Sequence, residues 1–203
     1  MELVVDGISE GEPIPVRHAF CAGEEMGDNV SPTVRWSGAP EGTRSIAITC
    51  TDPDVPSDPT DVNQEGRVVP ATLPRMTFAH WLLVDLPADL ASLGEGAEGS
   101  GIVAKGKPVT GGAAGGVRGA NDFTSWFEGD DEMGGTYGGY DGPCPPWNDS
   151  IMHHYTFTVH ALDVPTLGLE PGFRWADFEA ASDGHVLDSV SVTGLYSLNP
   201  DVA

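Results

Sequence analysis

The sequence predicts an all-β fold, a β-sandwich, and three observations carry that reading. Apolar and alternating segments of strand length recur along the chain, long irregular segments separate them, and only one helix is legible, near the C-terminus. Gly 27 and Pro 17 in 203 residues add many turns and short elements. The first clear strand is Ser45 to Thr51, which alternates in β fashion after the turn Pro40-Glu41-Gly42. Asp52-Pro53 reads as its stop. Thr77 to Leu86 is a mainly apolar run interrupted by His80 and Asp85, the pattern of a buried strand, and Pro87 ends it. Tyr155 to Asp163 alternates cleanly, and Ser189 to Ser197 supplies a last strand. Trp175 to Ser182 is the helix, with Asp183-Gly184 as its stop. Pro56 to Arg75, Gly94 to Gly116 and Phe123 to Trp147 read as loops, and loops this long usually carry function. The length and a hydrophobic content of 39% fit one domain over residues 1–203.

At low salt, though not in molar salt, the charge excludes whole classes of partner. Thirty-one acids against nine lysines and arginines give a net charge of −22. Such a surface repels nucleic-acid phosphates and anionic membranes. The acids are spread along the chain rather than gathered in a tail, which points to adaptation to a salty, halophilic cytoplasm. No segment has the apolar length of a membrane span. The N-terminus, from Met1 to Gly7, lacks a signal peptide's basic and apolar regions, so the expected location is cytoplasmic. Cys21, Cys50 and Cys144 are an odd number without CxxC spacing, so neither a disulfide framework nor a structural zinc site is expected. Cys50, in an apolar run, reads as a buried small hydrophobe.

Several motifs fail their context. Gly7-Ile8-Ser9-Glu10-Gly11 has the form of a nucleophile elbow, but Pro13 and Pro15 follow where a helix is required. Gly94 to Gly99 has the G-x-G-x-x-G spacing, but no strand leads into it and two glutamates would face a pyrophosphate. Asn148-Asp149-Ser150 matches a glycosylation acceptor, which carries little weight without an export signal.

Three segments combine unusual composition with strand-end placement. Asp52-Pro53-Asp54-Val55-Pro56 sets two acids and two rigid prolines directly after a strand. His80 lies within an otherwise apolar strand. Gly142-Pro143-Cys144-Pro145-Pro146 forms a stiff wall before His153-His154-Tyr155, where His153 and Tyr155 share a face and His154 points away. Read singly, each has a structural explanation: a turn, a core histidine, a proline loop. Together they suggest a small polar pocket. Protonated histidines and a tyrosine hydroxyl donate to anion oxygens, and nearby aspartates would orient the imidazoles and raise their pKa.

With these residues in view, the chain resembles the phosphatidylethanolamine-binding protein family, in its bacterial and archaeal branch. The resemblance begins at Ser31-Pro32-Thr33-Val34-Arg35-Trp36 and Pro40 to Ser45. It runs through Asp52 to Pro56, Phe78-Ala79-His80-Trp81 and Gly119 to Phe123. It continues with Tyr140 to Pro146 and His153 to Tyr155, and closes at Gly194-Leu195-Tyr196-Ser197. It implies a sandwich of a large central sheet and a smaller one, with helices near the C-terminus. It also implies a non-catalytic anion pocket for phosphate or a phospho-headgroup, and no cofactor. By position, Asp52, His80, His153 and Tyr155 line that pocket. Asp54 and Pro56 share its loop, and Gly142, Pro143, Cys144, Pro145 and Pro146 form its rim. The insertion from Asp58 to Arg75 departs from the family pattern and is expected beside the pocket, as a cover or a subunit contact. Modulation of another protein and a homodimer are further expectations. Two alternatives use the same residues: a divalent metal on Asp52, Asp54, His80 and His153, or a hydrolase with Cys144 and His153 or His80.

Overall fold

Two sheets organise the chain in a computed structural model that describes residues 1–23 and 25–202. In chain order the strands are β1 (Glu2–Val5), β2 (Cys21–Ala22), β3 (Glu25–Met26), β4 (Val34–Ser37), β5 (Ser45–Pro56) and β6 (Arg75–Pro87). They continue with β7 (Ser92–Leu93), β8 (Gly106–Lys107), β9 (Val117–Arg118), β10 (Thr136–Tyr137), β11 (His153–Leu162) and β12 (Val186–Tyr196). The helices are α1 (Phe123–Trp126) and α2 (Trp175–Ser182). The large sheet has the order β12-β11-β5-β6-β9, antiparallel throughout. The small sheet, β1-β4-β7, is also antiparallel. The all-β class and the pairing of a large sheet with a smaller one match the sequence reading.

Strand periodicity explains the layers. On β11, Tyr155, Phe157, Val159 and Ala161 point into the sandwich. They meet Ile46, Ile48 and Cys50 of β5, Trp81 and Leu83 of β6, and Val5, Val34 and Trp36 from the small sheet. The opposite face of the large sheet is covered as well. Ala47, Leu82, Val84 and Leu162 pack there against Phe173 and Phe178. Burial on both faces is why Trp81 to Val84 of β6 read as an apolar run without alternation. The α2 boundaries coincide with the expected helix, and the Asp177 carboxylate accepts the Arg174 backbone N–H at 2.8 Å to close its first turn. Among the described residues no helix is long and apolar enough to cross a membrane.

Two sequence expectations need correction. Asp52-Pro53 does not stop the strand, because β5 continues to Pro56 and pairs with Arg75. Its register slips between Asp52 and Val55, so the ladder passes Pro53 through a bulge, where a missing N–H is tolerated. The second correction is the disulfide between Cys21 and Cys144. An odd cysteine count argued against one, but the leftover thiol is Cys50, buried in the core.

Candidate functional site

The site begins with two bulges in the β5–β6 hairpin. Cys50 pairs with Trp81 and Thr51 with Ala79, so His80 is the extra residue on β6. A bulge re-aims a side chain that regular pleating would send elsewhere. The backbone on either side is pinned. Ala79 N–H donates to the Asp122 carboxylate at 2.7 Å, and Asp122 N–H returns a bond to the Ala79 carbonyl at 2.8 Å. His80 Nδ1–H donates to the Asp141 carbonyl at 2.8 Å, which fixes the tautomer because a carbonyl can only accept. Phe78, Phe123 and Tyr155 surround the ring, with centroids 4.8, 5.6 and 5.1 Å away.

The second bulge sets the carboxylates. Asp52 Oδ1 accepts the Asp54 backbone N–H at 2.8 Å, and Oδ2 accepts His153 Nδ1–H at 2.7 Å. His153 Nε2–H donates in turn to Asp149 at 3.2 Å. Arg75 closes the chain, reaching Asp149 Oδ1 at 3.0 Å and the Asp54 carbonyl at 2.8 Å. The result is a buried line of alternating charge, Asp52–His153–Asp149–Arg75. Burial alone would lower the His153 pKa, but the hydrogen bonds and charges of Asp149 and Asp52 raise it from 6.5 to about 9. His80 behaves oppositely: burial lowers its pKa, and the nearby Asp52 charge does not overcome it. Burial, then Asp52, holds the Tyr155 hydroxyl well above its ordinary value, so it stays protonated.

The wall from Asp141 to Pro146 is fastened from behind. The Asp141 carboxylate accepts from Asn29, Asn121 and Lys107, each at 2.8 Å. Gly142 N–H donates to Asn29 at 2.8 Å, and a Cβ at Gly142 would collide with the His18 carbonyl, so only glycine allows this approach. The Pro143 carbonyl accepts N–H bonds from Phe20 at 2.9 Å and Cys21 at 3.0 Å. The Cys21–Cys144 disulfide ties the same two segments covalently.

These elements enclose a cavity of about 50 Å³. Asp52, Val55 and Pro56 of β5, Phe78 and His80 of β6, and Tyr155 of β11 line it. Cys144, Pro145, Pro146, Phe123, Trp126, Val62 and Asn63 complete the wall. One water needs roughly 10–15 Å³ by the same measure, so there is room for about four waters or one small tetrahedral group. Asp52, His80 and Tyr155 are buried at the deep end, while Asn63 and Trp126 are exposed at the mouth.

Of the residues expected from sequence, Asp52, Pro56, His80, Cys144, Pro145, Pro146 and Tyr155 meet at this cavity. The other four do not. His153 is fully buried behind Asp52 with both nitrogens on carboxylates, so it supports the wall rather than donating into the cavity. Asp54 turns away and accepts from His154 Nδ1–H at 2.7 Å. Gly142 and Pro143 lie outside the lining and fasten it to the N-terminal segment. The expected rise in histidine pKa holds for His153 and fails for His80. Asp149 and Arg75 escaped sequence reasoning: Asp149 sat inside a glycosylation-like triplet, and Arg75 at the end of a loop. The one available signal was the spacing of Asp149 four residues before His153. Phe78 and Phe123 were visible as motif members but not as lining. From the 58–75 segment, Val62 and Asn63 reach the wall.

Of the two alternative chemistries, the cysteine hydrolase loses its nucleophile. Cys144 Sγ is bonded to Cys21, so it offers no thiolate. Asp52 and His153 bond each other and His80 Nδ1–H donates to the Asp141 carbonyl, so of the expected metal ligands only the remaining Asp52 lone pairs and His80 Nε2 are uncommitted at the cavity.

A small, largely apolar cavity with a few convergent polar groups at its deep end, set on a β-sandwich, has the form of a small-ligand site. The chain belongs to the phosphatidylethanolamine-binding protein family, whose model matches residues 5–197. It is 33% identical over 197 residues to UPF0098 protein YbhB of Escherichia coli strain K12, covering 97% of this chain and 100% of that protein. A UPF0098 protein of Methanothermobacter thermautotrophicus is also 33% identical, over 97% of this chain and 98% of its own. The crystal structure of E. coli YbcL, described as a new member of the mammalian PEBP family, aligns with a TM-score of 0.70 at 28% identity over 97% of each chain. The names of these relatives assign no catalytic activity.

Proposed function

We propose that this protein is a non-catalytic binding protein whose cavity takes one phosphate-like group, free or as the headgroup of a larger molecule. The observation that carries the proposal is the convergence of Asp52, His80 and Tyr155 at the closed end of a cavity sized for one tetrahedral group. Pro56, Pro145 and Pro146 stiffen the wall, which lowers the ordering cost of binding. The exposed Trp126 at the mouth offers an apolar surface to whatever the phosphate is attached to. A phosphorylated side chain of another protein would meet the same cavity, which is how modulation of a partner fits this site.

Calorimetric titration with inorganic phosphate and with phosphoethanolamine tests the reading. Both should bind, and tighter as pH falls from 8 to 6, because the bound anion favours protonated His80 over the neutral ring of the free protein. His80→Ala should weaken binding by roughly 10-fold or more, the loss of one charge-assisted hydrogen bond. Unchanged affinity in a folded His80→Ala protein would remove the assignment.

A further inference from the structure

The cavity is poor in charged donors for an anion site. No lysine or arginine lines it among the described residues. Pro56, Pro145 and Pro146 have no N–H to offer. Asp52 can only accept, and His80 has spent its Nδ1–H on Asp141, so its Nε2 donates only after taking a proton. Where His80 is neutral, neutral donors must hold the anion. At the deep end that is the Tyr155 hydroxyl. Two more remain on the lining. The Cys144 backbone N–H has no acceptor among the described residues. The other is the Asn63 amide. Asn63 Oδ1 accepts the Trp147 backbone N–H at 3.0 Å. A backbone N–H can only donate, so this bond fixes which end of the amide is oxygen. Nδ2 is left with its N–H groups uncommitted among the described residues, on a side chain that lines the cavity.

Asn63 belongs to the 58–75 insertion, and that segment is fastened to the wall. Its φ of 58° lies in the left-handed region, which asparagine tolerates better than most residues. Asn148, buried beside it, clasps the loop. Its Oδ1 accepts the Asn63 backbone N–H at 3.0 Å, and its Nδ2 donates to the Asp61 carbonyl at 2.8 Å and the Arg67 carbonyl at 3.2 Å. Further along, the Val69 N–H donates to the Asn148 carbonyl at 3.0 Å, and Arg75 Nη2 donates to the Pro70 carbonyl at 3.0 Å. A donor fixed in this way loses little side-chain freedom on binding.

We propose that Asn63 is a further anion-binding residue of this cavity: its Nδ2–H donates to the phosphate oxygen that faces the mouth, and Asn148 is the residue that positions it. The inference rests on the proposed phosphate-group function and adds to it a donor supplied by the insertion. Phosphomonoesters and phosphodiesters both keep at least two unesterified oxygens, so the amide serves either. An amide does not titrate, so its contribution is the same at every pH. That sets it apart from His80, which lies among Asp52, Asp122, Asp141 and Tyr155.

Titration calorimetry with inorganic phosphate at pH 6 and pH 8, at fixed ionic strength, tests this. Asn63→Gly keeps the left-handed backbone and removes the amide. It should weaken phosphate binding roughly 10-fold, the loss of one hydrogen bond to a charged group, and by the same factor at both pH values. Dimethyl phosphate, a phosphodiester, should lose affinity by that factor too. Asn63→Asp keeps an oxygen for the Trp147 N–H and puts a second where the donor stood, so it should weaken phosphate more than Asn63→Gly does. Asn148→Ala should also weaken phosphate, and the double variant should bind no worse than Asn63→Gly alone, because Asn148 acts through Asn63. A double variant that binds worse would remove the positioning role. If Asn148→Ala does not fold, the two Asn63 variants decide. Unchanged phosphate affinity in folded Asn63→Gly would overturn the inference while leaving the cavity reading standing. A loss confined to pH 6 would also overturn it, since the amide would then act through His80 and not on the anion. Wild-type protein that binds neither phosphate nor dimethyl phosphate would overturn both the inference and the phosphate-group reading beneath it.

Discussion

His153 shows how one residue is read twice. Its alternation with Tyr155 places both on one strand face, and this much the sequence displays. What the sequence hides is that two carboxylates, Asp52 and Asp149, clasp the ring from both sides. The consequence is a pH-dependent contribution to stability. The folded pKa is about 9 against an ordinary 6.5, so the ring is charged in both states below 6.5 and its contribution is complete there. As pH rises above 6.5 the unfolded chain gives up its proton first, and the contribution is lost by about 9. Its full size is on the order of 3 kcal/mol. Denaturant midpoints should therefore fall between pH 6.5 and 9, and His153→Gln should flatten that slope. A wild-type midpoint that stays level across this window would contradict the cationic clasp. His80 and His160, both lowered by burial, act in the opposite window. They cost stability as pH drops below 6.5, so the two effects are separable.

At the scale of elements, the four long strands were legible; their ends and the short strands, the small sheet β1-β4-β7 among them, were not. The apolar runs of β5, β6 and β11 and the α2 boundaries follow from periodicity, which depends on local side-chain direction. The extension of β5 through Asp52-Pro53 depends on where β6 lies opposite, and no local pattern records a bulge. The same holds for His80: its chemistry was visible, but its aim into the cavity comes from the register slip beside Trp81. The Cys21–Cys144 bridge spans 123 residues, a separation that spacing rules cannot interpret. It joins β2 to the proline wall, and a long closed loop restricts the unfolded chain strongly. Replacing both cysteines with serine should cost about 2–4 kcal/mol in denaturant unfolding under non-reducing conditions. It should also weaken phosphate binding, since Cys144 is part of the lining. Identical unfolding curves for the variant and the wild type would show that the bridge contributes nothing.

The whole molecule carries far more acid than it can pair. Lys107, Arg75, Arg118 and Arg174 are engaged with Asp141, Asp149, Glu98 and Asp122. Arg17 and Arg35 bind Glu95 and Asp6 at the surface. With nine lysines and arginines against thirty-one acids, most surface carboxylates repel one another unscreened. In molar salt the screening length falls to about 3 Å, which removes that repulsion. The melting temperature should rise by about 5–10 °C from dilute buffer to molar KCl, equivalent to a few kcal/mol in a chain of this size. A flat profile would place the acids in a different role.

The position of the cavity in the topology has a kinetic consequence. β5 and β6 are sequential and close on each other early, because little chain entropy opposes their meeting. β11 joins the opposite edge of β5 only after the chain between β6 and β11 has been laid down, and Tyr155 and the proline wall arrive with it. Asp52 and His80 therefore lie on one hairpin, and the cavity is complete only once Tyr155 of β11 and the proline wall have docked. A ligand held between the hairpin and the late-arriving segments has nothing to grip during closure and everything to lose on opening. A phosphate bound as proposed would slow unfolding and leave the rate of folding unchanged, which stopped-flow unfolding with and without phosphate checks.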